Sequence, residues 1–217
     1  MGGRKEMKKL QSSLVNMVLS LTLIVAVATG ILAYVNQLTA GPIAEANKKA
    51  LNDALKEVLV EGSQAGEPET YEMDGVSYKI YKADKDGQFA GAAVESSENG
   101  FGGALTVLVG FDKEGNIINY SVLNHAETPG LGSKSTFWFK KGEKGDITGK
   151  NPGTKALTVS KDGGEVEAIT ASTITSRAFL KAVNNAYAAY SGQHVDTSSG
   201  ASQQKKEASA QVTTTNQ

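Results

Sequence analysis

The sequence predicts an α+β domain, an antiparallel sheet with flanking helices, tethered to a membrane by one N-terminal transmembrane helix. Three observations carry this reading. An uncharged apolar run lies near the start of the chain, short β-type runs with hairpin spacing fill its middle, and an amphipathic helix follows them. At 217 residues there is room for one ordinary domain with extensions.

The apolar run Leu14 to Val35 holds 22 residues without a charge. As a helix it spans ~33 Å, which matches the hydrocarbon core of a bilayer. Arg4, Lys5, Lys8 and Lys9 precede it against a single Glu6, so the positive-inside bias puts the N-terminus in the cytoplasm and everything after Asn36 outside. A cleaved signal peptide is the alternative, with Ala26-Val27-Ala28 offering a small-residue site. Because the apolar run continues through Ile31, Leu32, Tyr34 and Val35, a retained anchor fits better.

After the anchor, Gly41-Pro42 opens a second segment, in which Ile43, Ala46, Ala50, Leu51, Ala54, Leu55, Val58 and Leu59 recur at helical spacing. Residues 63 to 76 read as turn-rich. Strands are expected at Ser77 to Lys82, Phe89 to Glu95, Ala104 to Phe111 and Ile117 to Leu123, with Asp112 to Asn116 as a hairpin loop between the last two. Ser176 to Tyr190 carries Phe179, Leu180, Val183, Ala186 and Tyr187 on one face and stops at Ser191-Gly192. Beyond it the chain lacks large apolar residues and reads as disordered. The expected organisation is therefore a basic N-terminus over 1–13, a transmembrane helix over 14–35, a domain over 36–192 and a disordered tail over 193–217.

Composition removes several kinds of function. Lys and Arg total 22 against 23 Asp and Glu, so no basic field exists to hold nucleic acid. With no cysteine and only His125 and His194, thiolate zinc sites, iron–sulfur clusters, thiol nucleophiles and multi-histidine metal sites are excluded. Redox chemistry in this chain needs an organic cofactor.

Three motifs have the makings of a binding site. Glu167-Ala168-Ile169-Thr170-Ala171-Ser172-Thr173-Ile174-Thr175-Ser176 is a hydroxyl-rich junction directly before the amphipathic helix. Helix N-termini present free N–H groups to phosphates, and Ser or Thr there also serves as an ordinary N-cap. His125-Ala126-Glu127-Thr128-Pro129-Gly130-Leu131-Gly132 follows a strand, and its glycines allow backbone to approach a ligand. A plain polar loop is the alternative. Gly100-Phe101-Gly102-Gly103 precedes the Ala104 strand and reads equally well as a turn, and the aromatic triplet Phe137-Trp138-Phe139 as core or interface.

The order of these motifs resembles the G subunit of the Rnf ferredoxin:NAD oxidoreductase complex, and is similar to the C subunit of the sodium-translocating NADH:quinone reductase. The resemblance covers roughly residues 10 to 190. It implies an extracytoplasmic FMN-binding domain with FMN joined through its phosphate to a threonine, within a motif D-x-x-S-G-A-T-x-T-S. Carried onto this chain, Thr173 is the flavin-bearing residue and Glu167, Thr170, Ser172 and Thr175 surround it. Glu167 and Thr170 keep the carboxylate and hydroxyl of the pattern, whereas Ala171 stands where the pattern has glycine. By the same resemblance His125, Glu127, Thr128, Gly130, Leu131 and Gly132 form the strip beside the flavin, with Arg177 and Lys134 as candidates to offset the phosphate. The implied function is electron transfer as a single-pass plasma-membrane protein, with the other membrane proteins of the complex, the lipid bilayer and a flavin transferase as partners. Two rivals remain: a membrane-tethered binding or scaffolding domain without cofactor, and a hydrolase with a Ser or Thr nucleophile, for which no oriented general base is identifiable.

Overall fold

The structure is a computed structural model and describes residues 14–192; the basic N-terminus and the tail expected to be disordered both lie outside the described residues. The described chain divides into two units, one ending at Lys49 and one beginning at Ala50.

In the first unit, helix α1 (Leu14–Val58) begins, and the side chains of the apolar run are exposed from Leu14 to Val35. This helix is long and apolar enough to cross a membrane, and its most apolar window is not buried against the rest of the protein. The sequence reading breaks the helix at Gly41-Pro42, whereas α1 runs for 45 residues with Pro42 inside it. One proline removes a single ladder hydrogen bond, and helix-forming residues continue on both sides.

The second unit is built on an antiparallel sheet. Its strands are β1 (Gln64–Ala65), β2 (Glu69–Met73), β3 (Val76–Lys85), β4 (Gln88–Asn99), β5 (Ala104–Asp112) and β6 (Ile117–His125). They lie in the order β1-β3-β4-β5-β6, with β2 also paired to β3. The four expected strands are present and longer than expected. β2 falls in the stretch that reads as turn-rich, and its signal is a hairpin turn: Asp74 and Gly75 have φ of 53° and 74°, the left-handed pair that a two-residue type I′ turn requires. Asp86-Gly87 joins β3 to β4 in the same way.

Alternation along the strands gives the sheet two buried faces. Leu105, Val107, Val109 and Phe111 of β5 point to one side, where α2 (Thr173–Ser191) packs. There the Phe179 ring stacks on Phe139 at 4.3 Å and meets Tyr120 edge-on at 4.7 Å. Burying Phe179 contributes on the order of 1.5–3 kcal/mol. Leu108 points to the other side, against Ala54, Leu55, Val58 and Leu59 at the end of α1. Gly110 is what lets that last turn lie on β5, because a Cβ there would sit 1.8 Å from the Val58 carbonyl oxygen.

From β6 the chain enters a long irregular stretch, broken by 3-10 turns at Gly132–Thr136 and Ser160–Asp162, before α2. Buried Tyr120 anchors its first part: the hydroxyl donates to the Ser135 carbonyl at 2.8 Å and accepts the Phe139 N–H at 3.1 Å. Burial, more than any other influence, raises that phenol's pKa, so it remains a neutral strut.

Candidate functional site

The strand-to-helix junction, the loop after β6 and the glycine turn between β4 and β5 meet in one cleft of about 340 Å³. Phe101 comes from the turn, Glu127, Thr128, Leu131 and Gly132 from the loop, and the Ala171–Thr175 segment from the start of α2. Hairpin pairing of β4 with β5 and of β5 with β6 brings the first two elements to the same end of the sheet. The packing of α2 on the sheet delivers the third.

Glu127 is the hub. It is 6% exposed, yet its carboxylate accepts the Thr175 hydroxyl on Oε2 at 2.9 Å and the Gly102 N–H on Oε1 at 3.3 Å, tying all three elements together. Gly132 gives this carboxylate its place, since a Cβ there would lie 2.3 Å from Oε2. His125 is not the partner of the Glu127 side chain: its Nδ1 accepts the Glu127 backbone N–H at 3.3 Å. Thr175, the hydroxyl that Glu127 holds, is 1% exposed and closed to a substrate. His125 therefore does not pair with the Glu127 carboxylate, and the hydroxyl that Glu127 holds is buried, so the hydrolase reading gains no nucleophile–base pair from these residues.

The start of α2 is open. Ser172 occupies the N-cap position without a side-chain cap hydrogen bond. Its carbonyl accepts the Ser176 hydroxyl at 2.9 Å, and that same hydroxyl oxygen accepts the Ile169 N–H at 2.9 Å. Thr175 is turned to Glu127, and the half-buried Thr173 accepts Lys161 Nζ on Oγ1 at 3.3 Å. These hydroxyls are committed to other partners, so the ordinary capping role of a Ser/Thr-rich helix start does not account for them. A helix start leaves its first-turn N–H groups without intrahelical partners and carries a partial positive charge.

Residue by residue, Glu127, Thr128, Leu131, Gly132, Ser172, Thr173 and Thr175 line the cleft, whereas His125, Gly130, Glu167 and Thr170 do not. Gly130 shapes the loop, with φ of 77° and its N–H donated to Ser133 Oγ at 2.9 Å. Glu167 is exposed and offers its carbonyl, not its carboxylate, to Trp138 Nε1 at 2.9 Å. Arg177 is engaged elsewhere, donating to both carboxylate oxygens of Asp162 at 2.7 and 2.6 Å. That hydrogen bonding is the main reason the Asp162 carboxyl is held below its ordinary pKa. Lys161, which no sequence motif singles out, is the cation on Thr173.

Ala171 adopts φ of 62°, a left-handed conformation that favours glycine. An L-residue there costs roughly 1–2 kcal/mol, partly offset because glycine would leave the unfolded chain freer. Ala171→Gly is expected to stabilise the protein by ~0.5–1 kcal/mol, read as a raised thermal midpoint. A midpoint at or below wild type would show that the turn is not strained.

An FMN-binding domain family matches residues 100–188, the segment that supplies every residue lining the cleft. A second family, described as the RnfG N-terminal region, matches residues 7–58. The G subunit of the ion-translocating oxidoreductase complex from Vibrio vulnificus is 34% identical over 183 residues, covering 77% of this chain and 84% of the relative. Its counterpart in Yersinia pestis is 36% identical over 184 residues, covering 77% and 86%. A crystal structure of the C subunit of the Na(+)-translocating NADH-quinone reductase from Parabacteroides distasonis aligns with a TM-score of 0.42 at 21% identity, over 68% of this chain and 91% of that one. The family match over residues 100–188 thus defines an FMN-binding domain, with an apolar helix N-terminal to it in the chain. The chain belongs to the G-subunit family of the ion-translocating oxidoreductase complexes.

Proposed function

We propose that this chain is an electron-transferring flavoprotein subunit of an Rnf-type ion-translocating oxidoreductase, with FMN joined as a phosphoester to Thr173. The observation that carries the reading is the convergence at one cleft of an uncapped helix start, a threonine hydroxyl with a lysine on it, and apolar side chains left exposed. The residues fit the group. N–H groups and an ammonium suit a phosphate, while Phe101, Leu131 and Ile174, which are 72%, 41% and 52% exposed, offer apolar surface to a flat ring. When bound, FMN supplies the capacity to take up and release electrons.

The chain's own part is positional. Thr173 fixes the phosphate end, α2 directs its N–H groups there, and Glu127 locks the turn, loop and helix so that the spacing between them is constant. Lodged in the membrane by α1, the domain stays beside its neighbours in the complex, and the complex as a whole moves electrons between ferredoxin and NAD while translocating ions. Residues 36–192 form the flavin domain in this reading, residues 14–35 the anchor, and a flavin transferase completes maturation. The reading is tested by the intact mass of protein purified from membranes that contain such a transferase. A mass without flavin would return the cofactor-free binding domain to the front.

Orientation is a separate prediction, resting on Arg4, Lys5, Lys8 and Lys9 before the uncharged run. A reporter fused after Gly192 should be active only outside the cytoplasm. Activity in the cytoplasm would reverse the topology and move the flavin to the other side.

A further inference from the structure

We propose that Lys161 is the residue that pairs with the phosphate at Thr173, a positioning role that rests on the Thr173 reading above. Lys161 lies in the irregular stretch, twelve residues before the threonine, and its Nζ donates to Thr173 Oγ1 at 3.3 Å. The turn that carries it is fastened on both sides. Ser160 N–H donates to the Val166 carbonyl at 2.8 Å, and Asp162 accepts the Arg177 guanidinium at 2.7 and 2.6 Å. Arg177 stands one helical turn beyond Thr173 on α2, so this ion pair docks the turn onto the helix that bears the threonine.

The same pair decides which cation serves the site. The Arg177 guanidinium is forked onto the Asp162 carboxylate, which offsets its charge, whereas the Lys161 ammonium has three donors on a flexible stem and already reaches the threonine. Lys161 can keep one donor near the threonine oxygen and turn the others to the phosphate oxygens. Its charge also has a local purpose, because a phosphoester on Thr173 would add an anion beside the Lys161 ammonium. Lys161 gives up no proton and forms no bond; it offsets charge.

The test uses membranes carrying the full-length chain, incubated with a flavin transferase and its flavin nucleotide donor. Covalent flavin is followed over time by in-gel fluorescence after denaturation. Lys161→Gln is expected to slow loading about tenfold, the size of one charge-assisted hydrogen bond, and Lys161→Arg to restore most of the rate. Added salt should shrink the gap between wild type and Lys161→Gln, because a half-open charge pair is screened, and the thermal midpoint should not change. Loading of Lys161→Gln at the wild-type rate, or a defect of equal size at every salt concentration, would overturn the inference. Persistent fluorescence in Thr173→Ala would instead defeat the underlying reading, so the two failures are distinguishable.

Discussion

Thr173→Ala is expected to abolish the flavin fluorescence of the denatured protein completely while the domain still folds. The loss is total because an ester needs the one oxygen that Ala lacks. The fold survives because Thr173 is only half-buried and its hydroxyl partner, Lys161, is on the surface. Even a true N-cap hydroxyl contributes only ~1 kcal/mol, and the N-cap position here belongs to Ser172. Thr175 looks from sequence like the natural neighbour control, but Thr175→Ala would take the hydroxyl from buried Glu127 and disturb the cleft. Thr175→Ser keeps that hydrogen bond and should retain fluorescence. If Thr173→Ala remains fluorescent on a denaturing gel, the phosphoester is elsewhere or absent.

Gly132→Val carries the largest expected loss of stability, together with a shifted flavin absorption spectrum. A Cβ at this position would lie 2.3 Å from Glu127 Oε2 and 2.9 Å from Glu127 Cβ and Cδ. Gly100 lies close to the same carboxylate, near enough that a Cβ there would be only 2.0 Å from Oε1. Overpacking of this kind costs ~1–3 kcal/mol, and Glu127 would have to give up hydrogen bonds as well. Gly130→Val is the informative comparison. Its φ of 77° strains any L-residue, but nothing lies within 4 Å of the added Cβ. It should lower stability by roughly 1–2 kcal/mol without changing the spectrum. The sequence expects both glycines to lie against the flavin; of the two, Gly132 lines the cleft and Gly130 does not. Denaturant unfolding and absorption spectra of the two variants decide it, and a Gly132→Val protein indistinguishable from wild type in both would show that Glu127 does not organise the cleft.

The features legible in the sequence are those set by short-range spacing. An uncharged run of bilayer length, short β-type runs with hairpin spacing and the apolar stripe of α2 each follow from local chemistry, and the structure contains all of them. The same reading missed β2 by weighing turn residues singly, although Asp74-Gly75 is itself a hairpin signal. It also starts a new helix at Gly41-Pro42, with Pro42 in the first turn, whereas α1 continues through that proline.

By itself the sequence determined the apolar N-terminal helix, the antiparallel sheet, the absence of cysteine ligands and the hydroxyl-rich start of α2 with Thr173 in it. Only the tertiary structure decided what surrounds that threonine. Glu127 and Thr175 are 48 residues apart and touch because two hairpins and a packed helix close on one another. Lys161 reaches Thr173 from a stretch with no periodicity, through a turn whose position depends on the Asp162–Arg177 pair. The backbone strain at Ala171 exists only once the chain must turn from that stretch into α2. Such contacts are fixed by the packing of the whole domain, and no local pattern of residue types encodes them.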